Sequence, residues 1–150
     1  MKKEVKDGRY EDGNGIVRWH KDGQKHRVDG PAIEWPDGHR EWWLNGQKHR
    51  VDGPAIEYSD GANEWWLNGQ RHRLDGPAVE NTNGYRAWYQ NGELHRLDGP
   101  AVILDEYTEW YINNVEYTKE DHYLYAEKIK LNEKLQTTLE EKLLVKKVKI

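Results

Sequence analysis

A seven-residue phrase recurs at a fixed interval. His26 to Ala32 and His49 to Ala55 read HRVDGPA; His72 to Ala78 and His95 to Ala101 read HRLDGPA. The histidines stand at 26, 49, 72 and 95, so the period is 23 residues (49 − 26) and is held twice more. Periods of about 20–50 residues belong to stacked-repeat architectures, in which a unit buries its apolar surface against its neighbours. The period therefore predicts a linear array.

Composition agrees with a thin array. Of 150 residues, 35% are apolar and 33% charged, and the mean hydropathy is −1.15. That is too polar for a thick core. Eight Trp and nine Tyr, with no Phe, supply much of the apolar surface, and each buried aromatic covers a large area. The absence of cysteine excludes disulfides and cysteine-ligated metal. The start, MKKEVKDGRY, has no apolar run, and no stretch approaches membrane-spanning length. A cytoplasmic location without a membrane partner is expected. The net charge of −4 argues against nucleic acid as the main partner.

Three segments follow along the chain. Residues 1–18 read as a polar, degraded half-repeat and an N-terminal cap. Residues 19–117 hold the repeats, in units of roughly 19–41, 42–64, 65–87 and 88–109, with a fifth that stops after WYINN. Residues 118–150 have no Gly, Pro or Trp and read as an amphipathic helix. Thr118 is the expected N-cap, with acids in the first turn. Leu124, Leu131, Leu135, Leu139 and Leu143 form its stripe. The last residues, LLVKKVKI, read as helix end or strand.

Within a unit, Asp60-Gly61 flanked by alternating residues is a two-residue hairpin signal. That turn sets Ile56 opposite Trp65 and Glu57 opposite Glu64. One face would carry Ile56, Tyr58, Asn63, Trp65 and Leu67, the other Ala55, Glu57, Ala62, Glu64 and Trp66. The same register sets Ile33 opposite Trp42 and Val79 opposite Trp88. The expected core columns are Ile33, Ile56, Val79, Val102 and Trp19, Trp42, Trp65, Trp88, Trp110. A second turn, Asn45-Gly46, Asn68-Gly69 or Asn91-Gly92, closes each unit.

The pattern W-x-x-N-G-x-x-H-R-x-D-G-P-A-x-E-x-x-D-G resembles the MORN repeat over residues 8–117. One departure is His-Arg-x-Asp-Gly-Pro where that family has His-Gly-x-Gly. The variant is similar in wording to repeat proteins of large bacteriophages and giant DNA viruses. The resemblance implies a mainly β fold: an elongated, curved single-layer sheet of stacked hairpins that serves as a scaffold. It implies no catalytic residue and no cofactor, and it makes a host factor a candidate partner.

Three constellations invite a chemical reading. The first is the set His26, Arg27, Asp29; His49, Arg50, Asp52; His72, Arg73, Asp75; His95, Arg96, Asp98. Two strands per unit put equivalent histidines roughly 9–10 Å apart, while zinc holds its ligands at about 2 Å. A structural role, with Arg paired to Asp or Glu and His bonded to a turn, is expected. The second is Glu34 opposite Glu41 and Glu57 opposite Glu64. Glycosidases use close acids, but Glu80 faces Ala87 in the third hairpin, so charge balance by the repeated Arg, or a cation-attracting strip for a basic partner, is preferred over catalysis. The third is a second aromatic column: His20, Trp43, Trp66, Tyr89 and Tyr111. It is either buried, by the alanines opposite or by the tail helix, or exposed to a partner.

The expected function is non-enzymatic: a protein-interaction module that takes a peptide or helix in a groove lined by Trp43, Trp66, Tyr89 and Tyr111 and rimmed by Glu41 and Glu64. The leucine-striped tail would cap the groove or form a homodimer. The rival readings are a nucleotide or sugar sponge and a structural oligomer assembled through the tail.

Overall fold

The computed structural model describes residues 7–148. Residues 1–6 of the expected cap and residues 149–150 of the expected tail lie outside the described residues. The protein is a long antiparallel sheet of stacked hairpins with one C-terminal helix, and the sheet is not closed into a barrel. Hairpins run in chain order from Gly8–Glu11 with Val17–Lys21 to Tyr107–Ile112 with Val115–Tyr117.

Each unit has two turns of different construction. Asn45-Gly46, Asn68-Gly69 and Asn91-Gly92 hold both residues at positive φ, with Asn at 48°, 50° and 51°. These are two-residue primed turns, and each closes a small ribbon such as Trp66–Leu67 with Gln70–Arg71. The Asp-Gly turns differ. Only Gly61 is left-handed, at 93°, and Asp60 is not. Tyr58 N–H donates to Ala62 O, Gly61 N–H donates to Tyr58 O, and Asp60 Oδ1 accepts from Ala62 N–H. The loop thus has three residues, Ser59 to Gly61. The same backbone bonds join Trp35 to His39, Asn81 to Tyr85 and Asp12 to Ile16.

One extra loop residue shifts the return strand by one position, which transfers its side chains to the other face. The expected register is therefore corrected. Ile56 lies opposite Glu64 and Glu57 opposite Asn63; Ile33 lies opposite Glu41 and Glu34 opposite Arg40; Val79 lies opposite Ala87. The Ile/Val column thus shares its face with Glu41 and Glu64 and with Trp43 and Trp66. Trp42, Trp65 and Trp88 stand on the other face.

The buried spine is the alanine of each motif with the residue after it. Ala55, Ala78 and Ala101 are wholly buried, and Ile56, Val79 and Val102 nearly so. Ala55 joins three strands through its backbone: its N–H donates to Glu64 O and its O accepts from Trp42 N–H. A phrase that looks like loop chemistry in the sequence thus leads straight into the core.

The helix runs Lys119–Val148, so the described part of the end that reads as helix end or strand, residues 143–148, is helical. Thr118 caps it as expected, accepting from Asp121 N–H and donating its hydroxyl to Asp121 Oδ2.

Candidate functional site

The repeated His-Arg-x-Asp set is an internal clamp. Arg73 Nε donates to Asp75 Oδ1 at 3.0 Å, and its Nη1 donates to Pro77 O at 3.1 Å and Glu80 Oε1 at 3.2 Å. Its guanidinium lies 3.9 Å from the ring centre of Trp65. Arg50 repeats this on Asp52, Pro54, Glu57 and Trp42, and Arg27 on Asp29, Pro31, Glu34 and Trp19. Arg96 keeps Asp98, Pro100 and Trp88. The motif glycine makes room: a Cβ on Gly76 would stand 2.8 Å from Arg73 Cζ. The Arg partner holds the Asp29, Asp75 and Asp98 carboxyls below the usual range.

The histidine joins units. Asn68 N–H donates to His49 Nδ1 at 3.2 Å, and the Asn68 side-chain amide is 2.8 Å from the same nitrogen. His26 meets Asn45 and His72 meets Asn91 in the same way, and His95 meets the Asn113 side chain. These contacts give each of the twelve motif residues a partner in the fold, the aspartates through their own arginines.

The acid pairs are not face to face, because the register differs. Glu57 is paired with Arg50 at 2.8 Å and Arg40 at 3.6 Å. Glu64 is buried and collects donors: Trp66 Nε1 at 2.8 Å, Arg71 Nε at 3.1 Å and Tyr58 OH at 3.1 Å. Burial pushes the Glu64 carboxyl up, but Arg71, Trp66 and Tyr58 together hold it below the usual range. Burial and the Glu64 charge push Tyr58 up to about 12. Glu41 accepts from Trp43 Nε1 at 2.7 Å and lies 3.4 Å from His39.

The second aromatic column is half-buried and already stacked. Lys25 sits 4.2 Å from the Trp43 ring centre and Lys48 4.7 Å from that of Trp66. Arg71 lies between Trp66 at 5.1 Å and Tyr89 at 5.5 Å. The cations recur at the same 23-residue period (25, 48, 71), so the sequence held the signal. Tyr111 shares the packing around Val79, Ala87 and Val102. Trp43, Trp66, Tyr89 and Tyr111 thus alternate with, or abut, the protein's own side chains, and Glu41 and Glu64 spend their oxygens inward.

The tail helix does not cover this column. Its first turns close the end of the stack instead. His122 is wholly buried and its Nε2 is 2.7 Å from Arg96 O. Its ring meets Trp110 edge-on at 5.0 Å, and Tyr123 packs on Trp110 at 5.3 Å. His122 and Ala126 are buried and Ile129 half-buried. Leu124, Leu131 and Leu135 lie on the opposite side of the helix, Leu139 and Leu143 drift round from it with the helical twist, and all five are exposed. Among the described residues, nothing covers these leucines.

The remaining feature is the edge built from the motif loops. Val28, Val51 and Leu74, the variable residue of each loop, are 83%, 82% and 76% exposed. Each is followed by an aspartate whose side chain is as open. Clefts of about 570, 530 and 590 Å³ separate successive loops, over Trp42, Trp65 and Trp88. The fourth loop differs. Leu97 is half-buried, its neighbour Arg96 receives His122, and Lys130 of the helix bears on Asp98.

Among the described residues, no group of three or more His, Asp or Glu is placed to hold a metal ion, and no helix is long and apolar enough to cross a membrane. Comparison with protein-family models, with curated proteins and with solved structures finds no match for the chain.

Proposed function

We propose that the protein is a non-enzymatic binding array that engages a protein helix along its loop edge. The observation that carries this is the contrast among four near-identical loops. Three present Val28, Val51 and Leu74 bare, while at the fourth Leu97 is half-buried and His122 of the C-terminal helix sits on the Arg96 carbonyl. That helix also brings the positive charge of Lys130 to bear on Asp98. A partner for the open loops would share its chemistry: apolar on one side, with lysine or arginine at the margin to meet Asp29, Asp52 and Asp75.

The aromatic column is the weaker surface. Its rings stack on Lys25, Lys48 and Arg71, so a partner would have to displace these cations. The same fact withdraws support from a nucleotide or sugar sponge, because the clamp arginines already lie on Trp42, Trp65 and Trp88.

The test is amide hydrogen exchange on the full chain with two synthetic helical peptides. Both carry Leu at every fourth position, one with Lys and one with Glu at the margins. Slowed exchange in loops 26–31, 49–54 and 72–77 with the Lys peptide alone supports the reading. Protection centred on Trp43 and Trp66, or none, overturns it.

A further inference from the structure

We infer that the helix seated on the open loops is that of a second copy of this chain, the two copies exchanging their C-terminal arms. The inference rests on the loop edge being a binding surface. It starts from two unpartnered features of one molecule.

The first is the arm. The helix docks on its own array through His122, Ala126 and Ile129, which recur at i, i+4 and i+7 and so share one side. At 100° per residue Leu131 and Leu135 fall on the opposite side, and every residue from Lys130 to Leu144 is exposed. The arm therefore leaves its own array and offers its leucines elsewhere.

The second is the row Val28, Val51, Leu74. Length matches. Leu131 to Leu143 spans about 18 Å at the helical rise. Two repeats of two strands each set Val28 and Leu74 about 19 Å apart. Charge matches as well. Lys134 and Lys142 stand three residues beyond Leu131 and Leu139, on the turn that borders the stripe. Each loop tip pairs its apolar residue with an aspartate. The segment 118–150 carries eight Lys against six acids, a net of +2, while the rest carries 15 basic against 21 acidic residues, a net of −6. The arm and the array thus attract between copies, and the fourth loop shows the helix meeting this loop chemistry within one chain. Mutual exchange about a two-fold axis satisfies both arms and both rows and stops at a dimer.

The test is solution mass by sedimentation across a dilution series. The full-length chain is compared with a loop variant, Val51→Glu with Leu74→Glu, and an arm variant, Leu135→Glu with Leu139→Glu. All four positions are exposed, and circular dichroism checks each fold. The expected result is twice the 17.8 kDa chain mass for the natural sequence and monomers for both variants. An equimolar mixture should regain a dimer, held by the loop variant's arm on the arm variant's loops. A monomeric natural chain at all concentrations overturns the exchange. So does a loop variant that stays dimeric while the arm variant does not, the mark of leucine stripes pairing with each other. If the monomeric chain still binds the Lys peptide through loops that Val51→Glu disables, only the occupant is wrong. If that peptide is also ignored, the loop edge itself is refuted.

Discussion

The guanidinium of Arg73 lies 3.9 Å above the ring of Trp65, in the space that the bare Cα of Gly76 leaves open. Three motif positions therefore act as one object. Gly76→Ala forces its Cβ to 2.8 Å from Arg73 Cζ, so the arginine must leave its ring or its Pro77 carbonyl. The expected cost is about 1–3 kcal/mol, that of a disturbed charged hydrogen-bond set. In an Arg73→Ala background the same alanine should cost far less, because the collision is gone. Denaturant unfolding of the two singles and the double gives the coupling; additive effects would refute the clamp.

Glu64 and Arg71 invite a second cycle. Glu64 is 7% exposed and serves Trp66, Arg71 and Tyr58. Glu64→Ala should destabilise by about 3 kcal/mol, since Arg71 then loses its buried counter-charge. Pairing it with Arg71→Leu should recover part of that loss. The third hairpin already tolerates Ala87 at the equivalent position, opposite Val79. Acid dependence has a definite sign. The Glu64 carboxyl is depressed in the fold, so its contribution is present above the unfolded-state carboxylate range and fades as pH falls through its folded value. Glu64→Gln should flatten that part of the stability profile.

These residues show how far the sequence could be read. The 23-residue period, the hairpin stack, the Thr118 cap and the terminal helix were all legible, because each rests on spacing or on a local residue preference. The register was not. Asp-Gly suits a two-residue primed turn and equally the last positions of a three-residue loop, since both need glycine at positive φ. What separates them is whether the preceding residue turns left-handed: Asn68 does and Asp60 does not. That single torsion moved Glu64 onto the face of Ile56. The cation ladder was legible at 25, 48 and 71, but only a correct register shows that these side chains meet Trp43, Trp66 and Tyr89. The role of His122 had no periodic signal, because it stands where the repeats end.

At that end, His122 replaces what the motif no longer supplies. Trp110 is the last residue of its column, and no motif arginine follows it at the spacing that sets Arg73 over Trp65. His122 and Tyr123 cover it instead. His122→Ala should therefore cost about 2–3 kcal/mol, for a fully buried ring and an orphaned Arg96 carbonyl. The loss should appear locally: hydrogen exchange at Trp110–Tyr117 and in the first helical turns should quicken, while units around Ile33 and Ile56 keep their protection. Uniform acceleration along the array would mean that the helix is not a local cap.

Tyr58 supplies a test of the corrected faces in one alkaline titration. Its hydroxyl donates to Glu64 Oε1, and burial together with that charge moves it up to about 12. Tyr85, Tyr107 and Tyr111 are also raised. The phenolate absorbance should therefore show a late stage, of which Tyr58 is the clearest member. A raised value in the fold means that stability is complete below the unfolded tyrosine pKa and falls as pH climbs through 10 toward 12. Tyr58→Phe should remove one equivalent from the late stage. In the register first read from the sequence, Tyr58 and Glu64 stand on opposite faces, and nothing would hold that proton. An early-titrating Tyr58 would thus restore the two-residue turn at Asp60-Gly61.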